Sequence, residues 1–542
     1  YCGKKCQTAH WSTHKVICKS SFSKPNWRPT WDREGRDPAW AIGDARNNLH
    51  NPFGKGVYMW GNVPAIDILR LPDNEGLTHD EEIELLFAAS GDLRNVVKTI
   101  VDLPTAATQH INVTVNDREF AVVARNAILL LFALNAPETA TGDDNGSYDT
   151  ADALIRLWYS AFIPMKVLSV IQDVVKPLIA DICTKIASKD PATSLGKTWK
   201  CPSGRSLRLV LKRDQWFMLE RMVSNAHNLS YERASEIRHA VTLAPDRADY
   251  RDRWDFKEST PSTRIAKHRF REDGLLLPFG HPRVGFDTPN ITLFQDANTW
   301  LMDDKANPLD GWPIWEVLHQ SWGAKEDWYG KLYAYLHHVL GRFLERLATS
   351  SVSFEMHCLD ARELKNHLGR DQYTRIEASN ISDLCHLGIQ ETLTSRLPLL
   401  QRPQRNPHAT IITLFINGVM EAANMSGADM KSYATKAMRY LPTTDIAAFM
   451  KPNGAAMTRI WDARSMFFDV DKFFKLYKSH RNFDRISSDL QIVEKEHNTI
   501  IEKWPTQLKL QSGQKGAQEE FDVMMGSNLS GIERYVEWKK FA

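Results

Sequence analysis

Between Ile83 and Leu134 two kinds of apolar pattern alternate, and this alternation constrains the fold more than any other feature of the chain. IELLFAA (Ile83 to Ala89) is a short continuous apolar run, broken by SGD at Ser90 to Asp92. LRNVVKTIVDL then sets Leu93, Val96, Val97 and Ile100 at helical spacing. INVTVND (Ile111 to Asp117) is β-branched and alternating, which predicts a strand, and EFAVVARNAILLLFAL predicts a largely buried helix. Strand, loop, helix, strand, helix is the pattern of a βαβ unit in a parallel sheet.

Similar signals return only after residue 350. SVSFEMHCLDA (Ser351 to Ala361), YTRIEASN (Tyr373 to Asn380) and ATIITLFIN (Ala409 to Asn417) are candidate strands. Residues 137–350 read as a mostly helical insertion, with loops rich in Pro and Trp. The expected architecture is therefore α/β, a doubly wound, mostly parallel sheet whose halves lie in 58–136 and 351–420. A helix-rich region, 421–542, follows, and a connector rich in Pro, Trp, Arg, Asn and Gly spans 21–57. Two separate α/β domains are the alternative, but each half alone has few strands for an open sheet.

Composition narrows the function classes. The chain has 542 residues, with 68 Lys+Arg against 66 Asp+Glu, 43% hydrophobic and 25% charged residues. Those values exclude disordered and collagen-like chains. A formal charge of +2 does not indicate nucleic acid as a partner, although a local basic patch can hide in the average. The longest apolar stretch, Ala121 to Asn135, falls short of the ~20 residues a bilayer needs and carries Arg125, so no membrane span is expected. The N-terminal segment has no apolar centre and does not read as a signal peptide. Seven cysteines are too few for a disulfide framework of this size, and Cys2, Cys6 and Cys18 cluster at the start. Such clustering predicts metal binding in a reducing compartment, the cytoplasm or nucleus.

Cys2, Cys6, His14 and Cys18 follow C-x3-C-x7-H-x3-C, with thiolate and imidazole ligands of the kind tetrahedral zinc prefers. With Gln7, Trp11 and Lys15 in place, residues 1–20 resemble the second half of a MYND zinc finger. The resemblance implies that Cys2 and Cys6 complete one zinc site and His14 and Cys18 the other, and that the segment contacts a protein partner. The four cysteines of the finger's first half do not precede Tyr1. That leaves open a longer native chain, one zinc held in an altered way, or none.

Ligands of open parallel sheets bind beyond the carboxyl ends of the strands. Three such ends are legible. At Ser90-Gly91-Asp92 a glycine permits close backbone approach before a helix N-terminus. Asp117 ends the next strand, where a carboxylate can accept two hydrogen bonds from a ribose diol. Asp360-Ala361-Arg362 forms a short acidic loop that can meet an adenine amino group. Each acid can equally cap the helix that follows it.

That ordered trio resembles the class I S-adenosylmethionine-dependent methyltransferases, and implies a Rossmann-like sheet with S-adenosylmethionine bound by Ser90, Gly91, Asp92, Asp117, Asp360 and Ala361. Asp92 would lie near the methionine end, holding its amino group or repelling its carboxylate. Asn380, after the fourth sheet strand, stands where such enzymes handle substrate, and Asp383 would orient a donor nitrogen; these two are the candidate catalytic residues. The alternative is that Ser379 or Asn380 caps a helix. Over about Gly61 to Asn135, the segments GNVPAIDIL, NEG, AASGDLRNVVKTI and VTVNDREFAVVARNAILLL resemble an uncharacterised domain of fungal MYND-type proteins. The same domain occurs in the axonemal dynein preassembly factor family. AASGDLR has one glycine where most active methyltransferases have two or three.

Two stretches, Tyr231 to Phe256 and Ser262 to Gly280, concentrate Arg, Lys and His beside aromatics. They read either as pocket walls that grip an anionic group or as solvated helix faces neutralised by Glu232, Glu236, Asp246, Asp249, Asp252 and Asp255. Two functional classes follow. One is a methyltransferase-like enzyme acting on a small-molecule or peptide substrate. The other is a non-catalytic interaction or assembly factor that keeps the sheet without the cofactor. A further possibility is another adenylated or aminoacylated ligand, faced by the basic stretch Arg264 to Arg271.

Overall fold

A computed structural model of the chain describes residues 4–42, 53–135, 149–201, 204–257, 260–441 and 451–541. Its centre is one sheet of nine strands: β1 (Ile83–Phe87), β2 (Ile111–Asp117), β3 (Ser194–Lys200), β4 (Ser206–Lys212), β5 (Val352–Cys358), β6 (Arg375–Glu377), β7 (Thr410–Phe415), β8 (Ile492–Glu494) and β9 (Arg534–Lys540). They lie in the order β8-β9-β7-β6-β1-β2-β5-β4-β3. Strands β4, β5, β2, β1, β6 and β7 are mutually parallel, with Ile83 beside Ile111, Ile111 beside Val352 and Leu85 beside Arg375. β9 runs antiparallel to β7, β8 to β9, and β3 to β4.

Of the five central strands, β1 and β7 are nearly continuous apolar runs, as a sheet covered by helices on both sides favours. β2 and β5 instead alternate apolar with polar residues, and β6 buries Arg375 and Glu377 on either side of Ile376. Every residue of β7 is buried, and in β1 only Glu84 is partly exposed. Four helices matter for the site: α1 (Lys4–Cys18), α2 (Arg94–Val101), α3 (Phe120–Asn135) and α4 (Trp328–Thr349). α3 is apolar all round and accordingly almost wholly buried. Among the described residues no helix is long and apolar enough to cross a membrane.

Within this sheet the structure adds four strands to those legible in the sequence, and the short pair Phe162–Ile163 and Thr288–Pro289 lies outside it. Residues 137–350 contribute the hairpin β3–β4 as well as helices, and 421–542 contribute β8 and β9. Charge hides these strands. β9 carries Glu537 in its interior, where the carboxylate is fully buried and accepts from Lys495 Nζ at 3.0 Å, Ile500 N at 2.8 Å and Ile501 N at 3.1 Å. A buried carboxylate is tolerable only with such a full set of donors, none of which is visible from the strand's own sequence. The connector is also better anchored than its composition suggests. Trp31 and Trp40 are buried against Tyr250, and Arg36 donates to Asp249 at 2.7 and 2.8 Å.

Candidate functional site

The chain reverses direction across the sheet between β1 and β6, so the loops after β6, β1, β2 and β5 stand side by side. Gly91, Asp117, Asp360 and Asn380 occupy those four loops. Gly91 has φ +55°, and a Cβ built there would meet nothing within 4 Å, so the space above it is open. Its neighbours fix the turn: Ser90 N donates to Asn116 O at 2.9 Å, and Asn126 Nδ2 donates to Gly91 O at 2.7 Å.

The half-buried Asp117 accepts from Gly91 N on Oδ2 and from Glu119 N on Oδ1, both at 2.9 Å. Burial pushes its pKa up, against the pull of those two N–H groups. One donor per oxygen leaves further lone pairs for a hydroxyl. Asp360 is held by the Arg362 guanidinium at 2.9 and 2.8 Å, which lowers its pKa to about 2, and it accepts from Arg362 N at 2.9 Å. Ala361 opens the helical turn that follows.

Asp92 is not part of this open shelf. Its carboxylate is wholly buried, ion-paired with Arg94 Nη1 at 2.7 Å through Oδ1, and accepts from Gly61 N at 2.9 Å through Oδ2. Arg94 Nε in turn donates to Val63 O at 2.9 Å, so residues 61–63 clamp the loop after β1. A Cβ on Gly61 would overlap the Arg94 guanidinium. Gly61→Ala is therefore expected to destabilise the fold by about 1–3 kcal/mol, read from urea unfolding.

Beyond β6, Ser379 takes a left-handed φ of +51° and donates from its N–H to Glu377 Oε1 at 2.7 Å. Burial pushes Glu377 up to about 7, against the opposing charge of Arg94. Asn380 is partly exposed and lies 3.4 Å from His386, between Nδ2 and Nε2. Asp383 is buried and faces inward. It accepts from Ile416 N at 3.0 Å and from Asn417 Nδ2 at 3.1 Å, tying the ends of β6 and β7 together, and burial raises its pKa to about 6.

A cavity of about 890 Å³ borders the 61–63 clamp, whose Gly61, Asn62 and Val63 line it. Trp40, Trp60, Trp254, Trp461, Ile416 and Met420 are among its walls, the last two from the chain that follows β7. Cations stack on three of these rings: Arg253 on Trp40, Lys305 on Trp254 and Arg464 on Trp461, at 5.5, 5.6 and 5.1 Å. The first basic stretch thus supplies the wall residues Arg253 and Trp254, and Lys257 just beyond it is a third. The second turns its cations to internal bonds: Arg264 to Lys24 O at 2.9 Å, Lys267 to Gly526 O at 2.8 Å and Arg271 to Asp255 at 2.6 Å. The rest of the cavity is not legible in the sequence, because its lining comes from segments far apart in it.

At the N-terminal end, Cys2 and the side chain of Cys6 lie outside the described residues. His14 Nε2 and Cys18 Sγ are 2.9 Å apart, one turn apart on α1.

Fold and site together define a mixed α/β protein with a large, mostly parallel sheet and a partly open shelf at its carboxyl edge. Residues 59–163 match the domain of unknown function DUF4470. That match contains the 61–63 clamp, the loop after β1 and Asp117. Dynein axonemal assembly factor 3 of Danio rerio is 38% identical over 82 residues, which cover 15% of this chain and 17% of that protein. These findings support the domain shared with the axonemal dynein assembly factor family. No solved structure matches the chain.

Proposed function

We propose that the chain is an S-adenosylmethionine-binding, methyltransferase-like protein, with the cofactor on the shelf and an acceptor, a small molecule or peptide, reaching it from the side of the cavity that borders the 61–63 clamp. The observation that carries this reading is the meeting of Gly91, Asp117, Asp360 and Asn380 on four adjacent parallel strand ends. With the hairpin set aside, β5-β2-β1-β6-β7 follows the 3-2-1-4-5 order of doubly wound sheets, which bind ligands where the order reverses. The residues present fit the cofactor at two points. The open space over Gly91 admits a ligand against the backbone, and Asp117 retains acceptor capacity for a ribose diol. Asp92 does not fit a ligand role, because its carboxylate is spent on Arg94 and Gly61.

Bound there, S-adenosylmethionine supplies an electrophilic methyl group. The chain's own task is then positioning and exclusion of water, which demands no catalytic triad. Asp383 holds the β6 and β7 ends in register, and the tryptophans of the cavity offer faces against which an acceptor can pack. In the N-terminal segment, His14 and Cys18 would be two ligands of one zinc ion and Cys2 and Cys6 two ligands of another, and the segment would contact a protein partner.

A second reading, a non-catalytic assembly factor, is favoured by the buried Asp92 clamp, the single-glycine loop and the name of the relative in Danio rerio. Calorimetric titration with S-adenosylhomocysteine separates the two. Micromolar binding by the wild type, weakened at least about tenfold in Asp117→Ala by loss of hydrogen bonds to a charged group, supports the cofactor reading. No heat from a folded sample leaves the assembly-factor reading.

A further inference from the structure

The sheet ends on one side in β3, and among the described residues no strand pairs with its outer edge. Cys201 N donates to Arg205 O and Arg213 N to Thr193 O, both at 2.9 Å. Since hydrogen-bonded pairs alternate along an antiparallel ladder, residues 195, 197 and 199 bond to β4. The N–H and C=O groups of Ser194, Gly196, Thr198 and Lys200 therefore point outward, and all four residues are exposed. This edge is seven residues long, whereas β8 at the opposite side of the sheet has three.

Long free edges invite pairing, and charge decides with what. From Ser194 to Lys212 the hairpin carries Lys197, Lys200, Arg205, Arg208 and Lys212 and no acid, and the helix that follows opens with the pair Arg213 and Asp214. Acids of neighbouring elements answer only in part. Asp181 sits 3.9 Å from Lys197 but already holds Lys185 at 2.8 Å, and Glu355 lies 3.3 Å from Arg208. Lys200 and Lys212 are exposed. Such a hairpin repels a second copy of itself and attracts an acidic strand.

We propose that the outer edge of β3 docks an extended acidic segment of a partner protein, which joins the sheet as an additional strand. Main-chain hydrogen bonds to residues 194, 196, 198 and 200 supply the pairing, and the flanking lysines and arginines select the charge. The proposal is independent of the cofactor shelf, which lies on other strands.

The test uses the full chain and a fluorescent extended peptide of alternating Glu and Val, with single-stranded DNA as the comparison. Thr198→Pro removes one outward N–H while leaving the hairpin's own bonds intact, as proline at an edge allows. Lys200→Glu keeps the backbone and reverses one exposed charge. Saturable peptide binding that falls at least about tenfold in Thr198→Pro, and that weakens in Lys200→Glu and with added salt, is expected. Should Thr198→Pro fail to fold, the Lys200→Glu and salt results decide. Absence of peptide binding, binding unchanged in the folded variants, or tighter binding of DNA that ignores Thr198→Pro would each overturn the proposal.

Discussion

Asp92→Ala is expected to destabilise the protein by about 3–5 kcal/mol, because it leaves the Arg94 guanidinium buried without its counter-charge. The Asp92 side chain is 0% exposed and that of Arg94 6%. The loss extends beyond one ion pair, since Asp92 also holds Gly61 N and Arg94 holds Val63 O, so the clamp over the β1 loop loosens with it. Asp117→Ala, at a half-buried carboxylate with two backbone donors, is expected to cost only about 1–2 kcal/mol. Urea unfolding of both variants checks the contrast. An Asp92→Ala protein of unchanged stability that had lost a ligand would reassign Asp92 to the binding site.

A similar loss is expected at another buried pair, Glu75 and Arg375. Arg375 Nη1 and Nη2 meet Glu75 Oε1 and Oε2 at 2.8 and 2.7 Å, and Asn406 Nδ2 adds a third donor at 3.0 Å. Arg375 also reaches His408 O at 2.9 Å and Leu69 O at 3.3 Å, joining the start of β6 to the segment before β1. Glu75→Ala strands that guanidinium and is expected to cost about 3–5 kcal/mol. Burial pulls the Glu75 pKa upward, but the charge and hydrogen bonds of Arg375 outweigh it and hold the group below 4.5. A carboxyl depressed in the folded state stabilises fully above its unfolded pKa, and that stability is lost as the pH falls through the folded value. Unfolding free energy of the wild type should thus fall more steeply below about pH 5 than that of Glu75→Gln, which has no proton to gain. Parallel pH curves would contradict the assignment.

What the sequence discloses follows from which residues speak for themselves. β1 and β7 are legible as continuous apolar runs, β2 and β5 by their alternation, β6 only within the longer stretch YTRIEASN, and the βαβ alternation orders them. β3, β4, β8 and β9 are masked by lysine, arginine and glutamate whose partners lie elsewhere, as Lys495 does for Glu537. The same logic divides the site. Gly91 and Asp117 are legible because strand ends before helices are where such residues act. The burial of Asp92 depends on Gly61 and Val63, 31 residues before it and before Arg94 respectively, and no local pattern announces it. Asp383 looks like a partner for Asn380 in sequence, yet it bonds to Ile416 and Asn417 because β6 and β7 are neighbours in the sheet. The large cavity depends entirely on tertiary assembly.

On the proposed reading the shelf between Gly91 and Asp117 binds an adenosyl ligand. A crystal structure of the protein grown with S-adenosylhomocysteine tests it most directly. Ligand density is expected over Gly91, with the ribose hydroxyls on the Asp117 carboxylate and the Asp92–Arg94 pair undisturbed. Ligand density elsewhere, or a well-ordered shelf without ligand at saturating concentration, would contradict it.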